Sequence, residues 1–392
     1  MRSSPHVIVI GGGATGAAVA HDLALRGVRV TVVERGEVTS GTTGRHHGLL
    51  HSGARYAVKD QESARECIQE NMILRKIAPD EFELNNGLFV AITEEDMEYR
   101  PRFLEGLETC GIPYREIPPK DALKMEPNLN PQLKAAVEVP DGTMDAMRLP
   151  LRFFATAQKN GAVVKTYTEV VGFLMNGKTV SGVRVRDHVT NRDYEIGADV
   201  VVNAAGAWAD KIAAMAGIHI PVRPSPGVLV AVWGRWSNMV INRMTMAGDG
   251  DIVLPQRALS IIGTSSWLVD DPDRLEMKPE HIDLMYRYGS MLIPAIKDAP
   301  MRSAWAAARP LIGDSGGDDT GRELSRTFKC FDHAERDGIE GFVTIAGGKA
   351  TTARAMAEAT ADIVARKLGI EAPCTTREVV LLPHTAYYRR RM

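Results

Sequence analysis

Short apolar runs separated by glycine set the rhythm of this chain. The first, Val7-Ile8-Val9-Ile10, leads into Gly11-Gly12-Gly13-Ala14-Thr15-Gly16 and an alanine-rich stretch. A second β-branched run, Val28-Arg29-Val30-Thr31-Val32-Val33, closes on Glu34. Runs this short, bounded by turn residues, predict strand, turn, helix and strand. Ala198 to Asn203 predicts another buried strand, followed by the small-residue turn Ala204-Ala205-Gly206-Ala207 and a helix over Ala209 to Met215. Phe342 to Ala346 predicts a further strand, with Gly347-Gly348 leading into a helix from about Thr351 to Leu368. Strand patterns at Gly87 to Ile92, Val228 to Trp233, Asp251 to Pro255 and Ser260 to Gly263 lack the long intervening helices that parallel pairing requires, which predicts an antiparallel sheet. There is no internal repeat.

The first unit carries the clearest chemistry. Gly11 permits a tight turn, Gly13 lets backbone approach a pyrophosphate, and Gly16 lets the helix lie against the strand, so that helix amides face phosphate. Glu34 follows Gly16 by 18 residues, where a carboxylate accepts hydrogen bonds from a ribose diol. A glycine triplet alone is a weak signal; with strand, helix and acid in place it indicates a dinucleotide site. The next segment separates flavin from nicotinamide. Thr39-Ser40-Gly41-Thr42-Thr43-Gly44 and Arg45-His46-His47-Gly48-Leu49-Leu50-His51-Ser52-Gly53-Ala54-Arg55-Tyr56 form a long polar loop where a nicotinamide dehydrogenase continues into helix and strand. Such a loop suits enclosure of a large polar ligand. The positive end of the helix after Gly347-Gly348-Lys349 suits negative charge on the pyrimidine side of a reduced flavin.

Composition narrows the class. At 392 residues, 44% hydrophobic and 24% charged, the chain can bury a large core, in two domains. A net charge of -2 and the lack of a basic, aromatic-interleaved patch argue against nucleic acid as a partner. No apolar run approaches the ~18 residues of a membrane span, and the N-terminal run is too short for a signal peptide. These features predict a cytoplasmic protein, with contact to the inner face of a membrane only through a partner. Cys67, Cys110, Cys330 and Cys374 lack metal-ligand spacing and read as small buried side chains, so no metal is expected. The basic tail Tyr387-Tyr388-Arg389-Arg390-Arg391-Met392 reads as a solvated end.

Several stretches together resemble the FAD-dependent glycerol-3-phosphate dehydrogenase family, and within it the large flavin subunits of anaerobic enzymes. They are Ile10 to Ala17, Gly44 to Ala57, Val139 to Asp145, Val202 to Trp208, Ile262-Gly263-Thr264, Arg309-Pro310-Leu311, His333 to Gly338 and Gly347-Gly348-Lys349. The resemblance implies noncovalent FAD, oxidation of sn-glycerol 3-phosphate to dihydroxyacetone phosphate by hydride transfer to flavin N5, and electron delivery to a respiratory quinone through partner subunits. It implies an α/β fold with a discontinuous Rossmann-like FAD-binding domain (1–82, 141–218 and 306–370), an antiparallel-sheet α+β substrate domain (83–140 and 219–305) and a tail at 371–392. Family subunits usually extend further, into a cysteine-rich region. This chain has Trp305-Ala306-Ala307-Ala308 where the family has more polar residues, Thr352-Ala353-Arg354 for threonine-tyrosine-arginine, and His46 for asparagine. Those losses keep another polyol phosphate open as substrate.

Matched positions give the expected site. Cofactor binding is expected at Gly11, Gly13, Ala14, Thr15, Gly16, Glu34 and Arg35, then at Thr42, Thr43, Gly44, Arg45, His47, Gly48 and Leu50. Ala205, Gly206, Gly347, Gly348 and Lys349 complete that set. Arginine grips phosphate bidentately and keeps its charge, and for that task the resemblance points to Arg55 and Arg309, with Arg326 as a weaker third. The proton acceptor is expected to be His51, as an imidazole with a pKa near ~6.5; Lys349 is the second candidate, or a cation that neutralises reduced flavin. Three rivals stay open. They are a related flavoenzyme acting on a 2-hydroxy acid or amino acid, a flavin-carrying subunit without its own substrate, and an NAD-dependent Rossmann reductase.

Overall fold

The structure is a computed structural model that describes residues 4–313 and 324–390. Its nucleus is a six-stranded sheet in the order Phe328–Asp332, Phe342–Gly347, Val200–Asn203, His6–Ile10, Arg29–Val33, Val163–Lys165. All neighbours are parallel except the first pair. His6–Ile10 is central, and its alternation explains why it is apolar on both faces. Val7 and Val9 pack with the helix side of the sheet, where Ala14–Leu25, Arg148–Lys159 and Ala353–Leu368 lie. Ile8 and Ile10 pack on the opposite side with Val170, Phe173, Val183 and Val185 of an antiparallel three-stranded meander. That meander, Thr168–Asn176, Thr179–Asp187 and Arg192–Gly197, was not anticipated from the pattern.

The second large sheet has eight strands, ordered Met301–Ile312, Val222–Trp233, Leu259–Gly263, Ile252–Gln256, Val240–Arg243, Gly87–Ala91, Ala135–Val139, Arg115–Ile117. Its pairs are antiparallel with one exception: Val240–Arg243 runs parallel to Gly87–Ala91, with Val240 opposite Gly87. The missing-helix argument fails for that pair because the long chain between the strands contains the crossover. Period-two burial again sets the faces. Val228, Val230, Val253 and Ile262 pack beneath the helix Pro279–Leu292, whereas Leu229, Ile252, Leu254 and Ile261 form the face that receives Leu49. The strand at Val228 begins earlier, at Val222, because it pairs along the whole of Met301–Ile312.

The tail corrects the expectation of a solvated end. His384–Arg390 forms a 3-10 turn against Arg148–Lys159, and Tyr387 is fully buried, with its ring 6.0 Å from that of Phe154. One aromatic anchor outweighs the basic residues around it. Cys67 and Cys110 are buried, while Cys330 and Cys374 are partly exposed.

Candidate functional site

A cavity of about 1040 Å³ runs from the glycine turn to the apolar face of the eight-stranded sheet. That is the upper end of the range for ligand sites. At one end, Gly11 has φ +109°, and a Cβ there would lie 2.7 Å from the Ala204 carbonyl oxygen. A Cβ on Gly16 would lie 2.0 Å from the Gly11 carbonyl oxygen, so the helix comes this close to the turn only because residue 16 is glycine. Helix Ala14–Leu25 begins at Gly13 without a side-chain cap and without an acid in its first turn. The Ala14 amide donates to Thr43 Oγ1 at 3.0 Å, which docks the polar loop on this helix end. Glu34 is braced by the Gly12 and Gly36 amides at 2.7 and 2.8 Å. The helix N-terminus behind Gly13 suits a pyrophosphate and the fixed carboxylate suits a ribose diol.

The opposite end is basic. Arg55, Arg309, Arg326, Lys349 and His51 line the same cavity. Arg309 is anchored by protein acceptors: Nε donates to Ser225 O at 3.1 Å, Nη1 to Thr264 Oγ1 at 3.0 Å, and Nη2 to Pro226 O and Ser265 O at 2.9 and 3.0 Å. Arg55 donates to Gly248 O at 3.1 Å and pairs with Asp251. Arg326 differs, since its Nη1 is buried without a partner among the described residues. Burial, with Arg326 and Arg55 close by, pulls Arg309 down to about 9, and burial lowers Arg326 as well. Uncompensated buried cations of this kind are relieved by an anion.

His51 is buried, and its main chain is pinned on both sides. Its amide donates to Thr351 Oγ1 at 3.2 Å, and Asn71 Nδ2 donates to its carbonyl at 3.1 Å. Desolvation, followed by His47, Lys349 and Arg55, holds the imidazole well below its usual range, so the expectation of an unperturbed pKa is wrong. Burial also takes His46 to about 4 and His47 to about 3. The Nδ1 atoms of those two accept the Gly48 and Leu49 amides at 2.9 and 3.1 Å, which folds the loop back on itself. Lys349 Nζ donates to Arg326 O at 2.8 Å and Ser63 Oγ at 3.1 Å, and lies 4.6 Å from the centre of the Tyr56 ring.

The cavity gathers the expected Gly11, Gly13, Ala14, Thr15, Glu34, Arg35, Thr42, Thr43, Arg45 and His47, and also Ala205, Gly206, Gly347 and Gly348. Gly16, Gly44, Gly48 and Leu50 do not line it. Gly16 serves helix packing. A Cβ on Gly44 would lie 2.5 Å from Thr39 O, one on Gly48 would lie 2.4 Å from Met144 O, and Leu50 is in the core. Gly44 and Gly48 thus permit close packing of the loop. Trp208, Lys211 and Asp273 line one end of the cavity and Tyr56 and Asp60 the other, although none was expected there. Tyr56 was within reach, since it directly follows Arg55; Asp273 lies in a polar loop with no distinguishing pattern.

A mostly parallel sheet with a glycine turn at a helix N-terminus and a cavity of about 1040 Å³ fits a flavin-dependent oxidoreductase of the Rossmann-like type. The chain belongs to the FAD dependent oxidoreductase family, whose model matches residues 6–363. It is 47% identical over 380 residues to one of the subunits of the anaerobic glycerol-3-phosphate dehydrogenase of Escherichia coli (strain K12), covering 96% of this chain and 70% of that protein. Its fold matches the glycerol-3-phosphate dehydrogenase of Bacillus halodurans complexed with FAD, with a TM-score of 0.75 and 26% identity over 97% of this chain and 68% of that one. The L-proline dehydrogenase of P. horikoshii matches with a TM-score of 0.76 and 25% identity, covering 93% and 94%. The cofactor is therefore FAD, and the glycine turn, Glu34 and the Gly347-Gly348 turn fit it.

Proposed function

We propose that this chain oxidises sn-glycerol 3-phosphate to dihydroxyacetone phosphate. One observation carries the reading. Four cations, Arg55, Arg309, Arg326 and Lys349, converge on one end of the FAD cavity, and a buried Arg326 nitrogen lacks a partner among the described residues. Among the described residues, the carboxylates that touch them are Asp251 on Arg55 and Asp60, which accepts the Arg326 amide at 2.8 Å. The surplus of positive charge suits a phosphate dianion better than the single charge of a carboxylate.

Bound FAD supplies the two-electron acceptor. The chain's own groups do the rest. Arg326 grips the phosphate through its buried Nη1, Arg309 adds its fixed positive charge and the second N–H of Nη1, and Arg55 stands behind them. His51 accepts the hydroxyl proton as carbon gives up hydride. Lys349 contacts acceptors and a π face, an arrangement suited to a donor, so its role is to neutralise charge near the flavin and the base is His51. Burial first, and then His47 and the cations Lys349 and Arg55, suppress protonation of His51; a bound dianion offsets the cationic part of that suppression and raises the proton affinity of the imidazole. Substrate binding thereby readies the base. Electrons then pass to a respiratory quinone through partner subunits, a reading supported by the E. coli relative being one component of a multi-subunit anaerobic enzyme. No described helix is long and apolar enough to cross a membrane; a cytoplasmic chain that meets the inner face of the membrane through its partner subunits is part of the same proposal.

Anaerobic mixing with a panel of substrates tests the reading at the flavin absorbance maximum. Bleaching by sn-glycerol 3-phosphate at low concentration is expected. Bleaching only by an amino acid, a 2-hydroxy acid or a different polyol phosphate would replace the substrate. Bleaching by dithionite alone would mark a flavin carrier with no substrate of its own.

A further inference from the structure

The cavity end that holds Glu34 is closed by a segment from the other sheet. Between the strand Leu259–Gly263 and the helix Pro279–Leu292 the chain crosses to the FAD side, where Pro272, Asp273 and Leu275 line the cavity. Asp273 makes the crossing fast. Its Oδ1 accepts from Arg35 Nη2 at 2.6 Å and from Trp208 Nε1 at 2.8 Å, and its Oδ2 accepts from Lys211 Nζ at 2.9 Å. Asp271 reinforces the tie by accepting Lys211 at 2.6 Å and the Asp273 amide at 2.9 Å. Arg35 also lies 4.8 Å from the centre of the Trp208 ring. That ring also meets the polar loop, since a Cβ on Gly41 would come within 3.3 Å of Trp208. Four separate segments therefore meet around one carboxylate: the residue after Glu34, the loop at Gly41, the Trp208 turn and the crossing segment.

We propose that Asp273 is a cofactor-retaining residue, the latch that keeps the adenosine end of FAD enclosed. Glu34 marks the ribose position in this fold, and Arg35 is its immediate neighbour, so the latched groups stand at the adenosine end and away from the His51 cluster. FAD leaves only when the crossing segment lifts, and lifting it breaks all three bonds to Asp273 together. The ion pairs are partly solvent-exposed, with side-chain exposures between 39% and 46% for Arg35, Lys211 and Asp273. Their hold is therefore sensitive to salt. The inference does not depend on which alcohol the enzyme oxidises.

The test is the rate of FAD release from purified holoprotein, followed on dilution into excess apo-flavoprotein scavenger by the activity that the scavenger gains as it captures released FAD. Asp273→Asn removes the charge and should raise the release rate about tenfold, as expected when ion pairs of this exposure are lost from a closed state. Trp208→Phe keeps the ring and deletes one donor, and should give a smaller rise in the same direction. Release from the unaltered protein should accelerate between ~0.01 and ~1 M KCl, over which the screening length falls from ~30 to ~3 Å. That acceleration should be largely absent in Asp273→Asn. Asp270→Asn, on the exposed neighbour, should release FAD at the original rate. Unchanged release in Asp273→Asn overturns the proposal; so, if that variant does not fold, does unchanged release in Trp208→Phe together with salt-independent release from the parent.

Discussion

Replacing Arg326 by alanine separates ligand recognition from fold stability. The side chain has a buried Nη1 without a partner among the described residues, so truncation removes no internal bond from that atom. Its main chain keeps the bonds to Asp60 and from Lys349, both 2.8 Å. Stability should hold or rise slightly, because like-charge repulsion with Arg55 is relieved. A charge-assisted contact to phosphate is worth roughly 1.5 to 3 kcal/mol, which corresponds to about a 10- to 150-fold rise in the substrate dissociation constant. Arg309→Ala provides the contrast. It strands the Ser225, Pro226 and Ser265 carbonyls, each costing roughly 1 to 3 kcal/mol if left unpaired and buried, so melting temperature and affinity should fall together. The assay is anaerobic stopped-flow reduction of the flavin across substrate concentration, with the half-saturation point read as affinity and thermal unfolding measured in parallel. An unchanged half-saturation point in Arg326→Ala, or a loss of stability there equal to that of Arg309→Ala, would refute the assignment of Arg326 to the ligand.

Three further outcomes are expected. His51→Asn should slow flavin reduction by roughly 10²- to 10⁴-fold, the usual worth of a general base, while moving the half-saturation point little; equal effects on both would remove His51 from proton transfer. The folded-state pKa values of His46, His47 and His51 lie below the unfolded value of ~6.5, so their neutral burial stabilises the fold fully above that pH. Stability is then lost as pH falls through the window towards about 4 and 3, the values for His46 and His47. The loss should be on the order of 1 kcal/mol per pH unit for each histidine, and chemical denaturation at stepped pH that showed no decline below ~6 would contradict it. Tyr387→Ala should destabilise the fold by roughly 3 kcal/mol, as for other buried aromatics, visible as a lower denaturation midpoint with FAD affinity unchanged.

The glycine turn and Glu34 were legible because few residues can occupy a left-handed turn under a helix end, and their spacing is fixed by one local unit. His51 and Arg55 were legible for a related reason, since a loop this dense in charge and glycine has few structural uses. What stayed hidden depended on partners distant in sequence. Gly44, Gly48 and Leu50 belong to the right loop, but only the path of the chain shows that they face Thr39, Met144 and the core. The anchoring of Arg309 required the pairing of Ser225 with Arg309 across two long strands, one of which contains the alanines that disguised it. His51 lost its ordinary basicity to neighbours that sequence alone does not place beside it. The crossing at Asp273 and the burial of Tyr387 each rest on one side chain in a polar stretch, where composition points towards solvent.

The central claim is that a phosphate, not merely an alcohol, is recognised beside the flavin. Comparison of sn-glycerol 3-phosphate with glycerol in anaerobic flavin reduction measures it directly, as the ratio of reduction rate constant to half-saturation concentration. A preference for the phosphate ester on the order of 10³-fold or more is predicted, in line with sites whose buried polar groups lose their partner with the wrong ligand. Comparable reduction by glycerol, or none by the ester while dithionite still bleaches the flavin, would contradict the account.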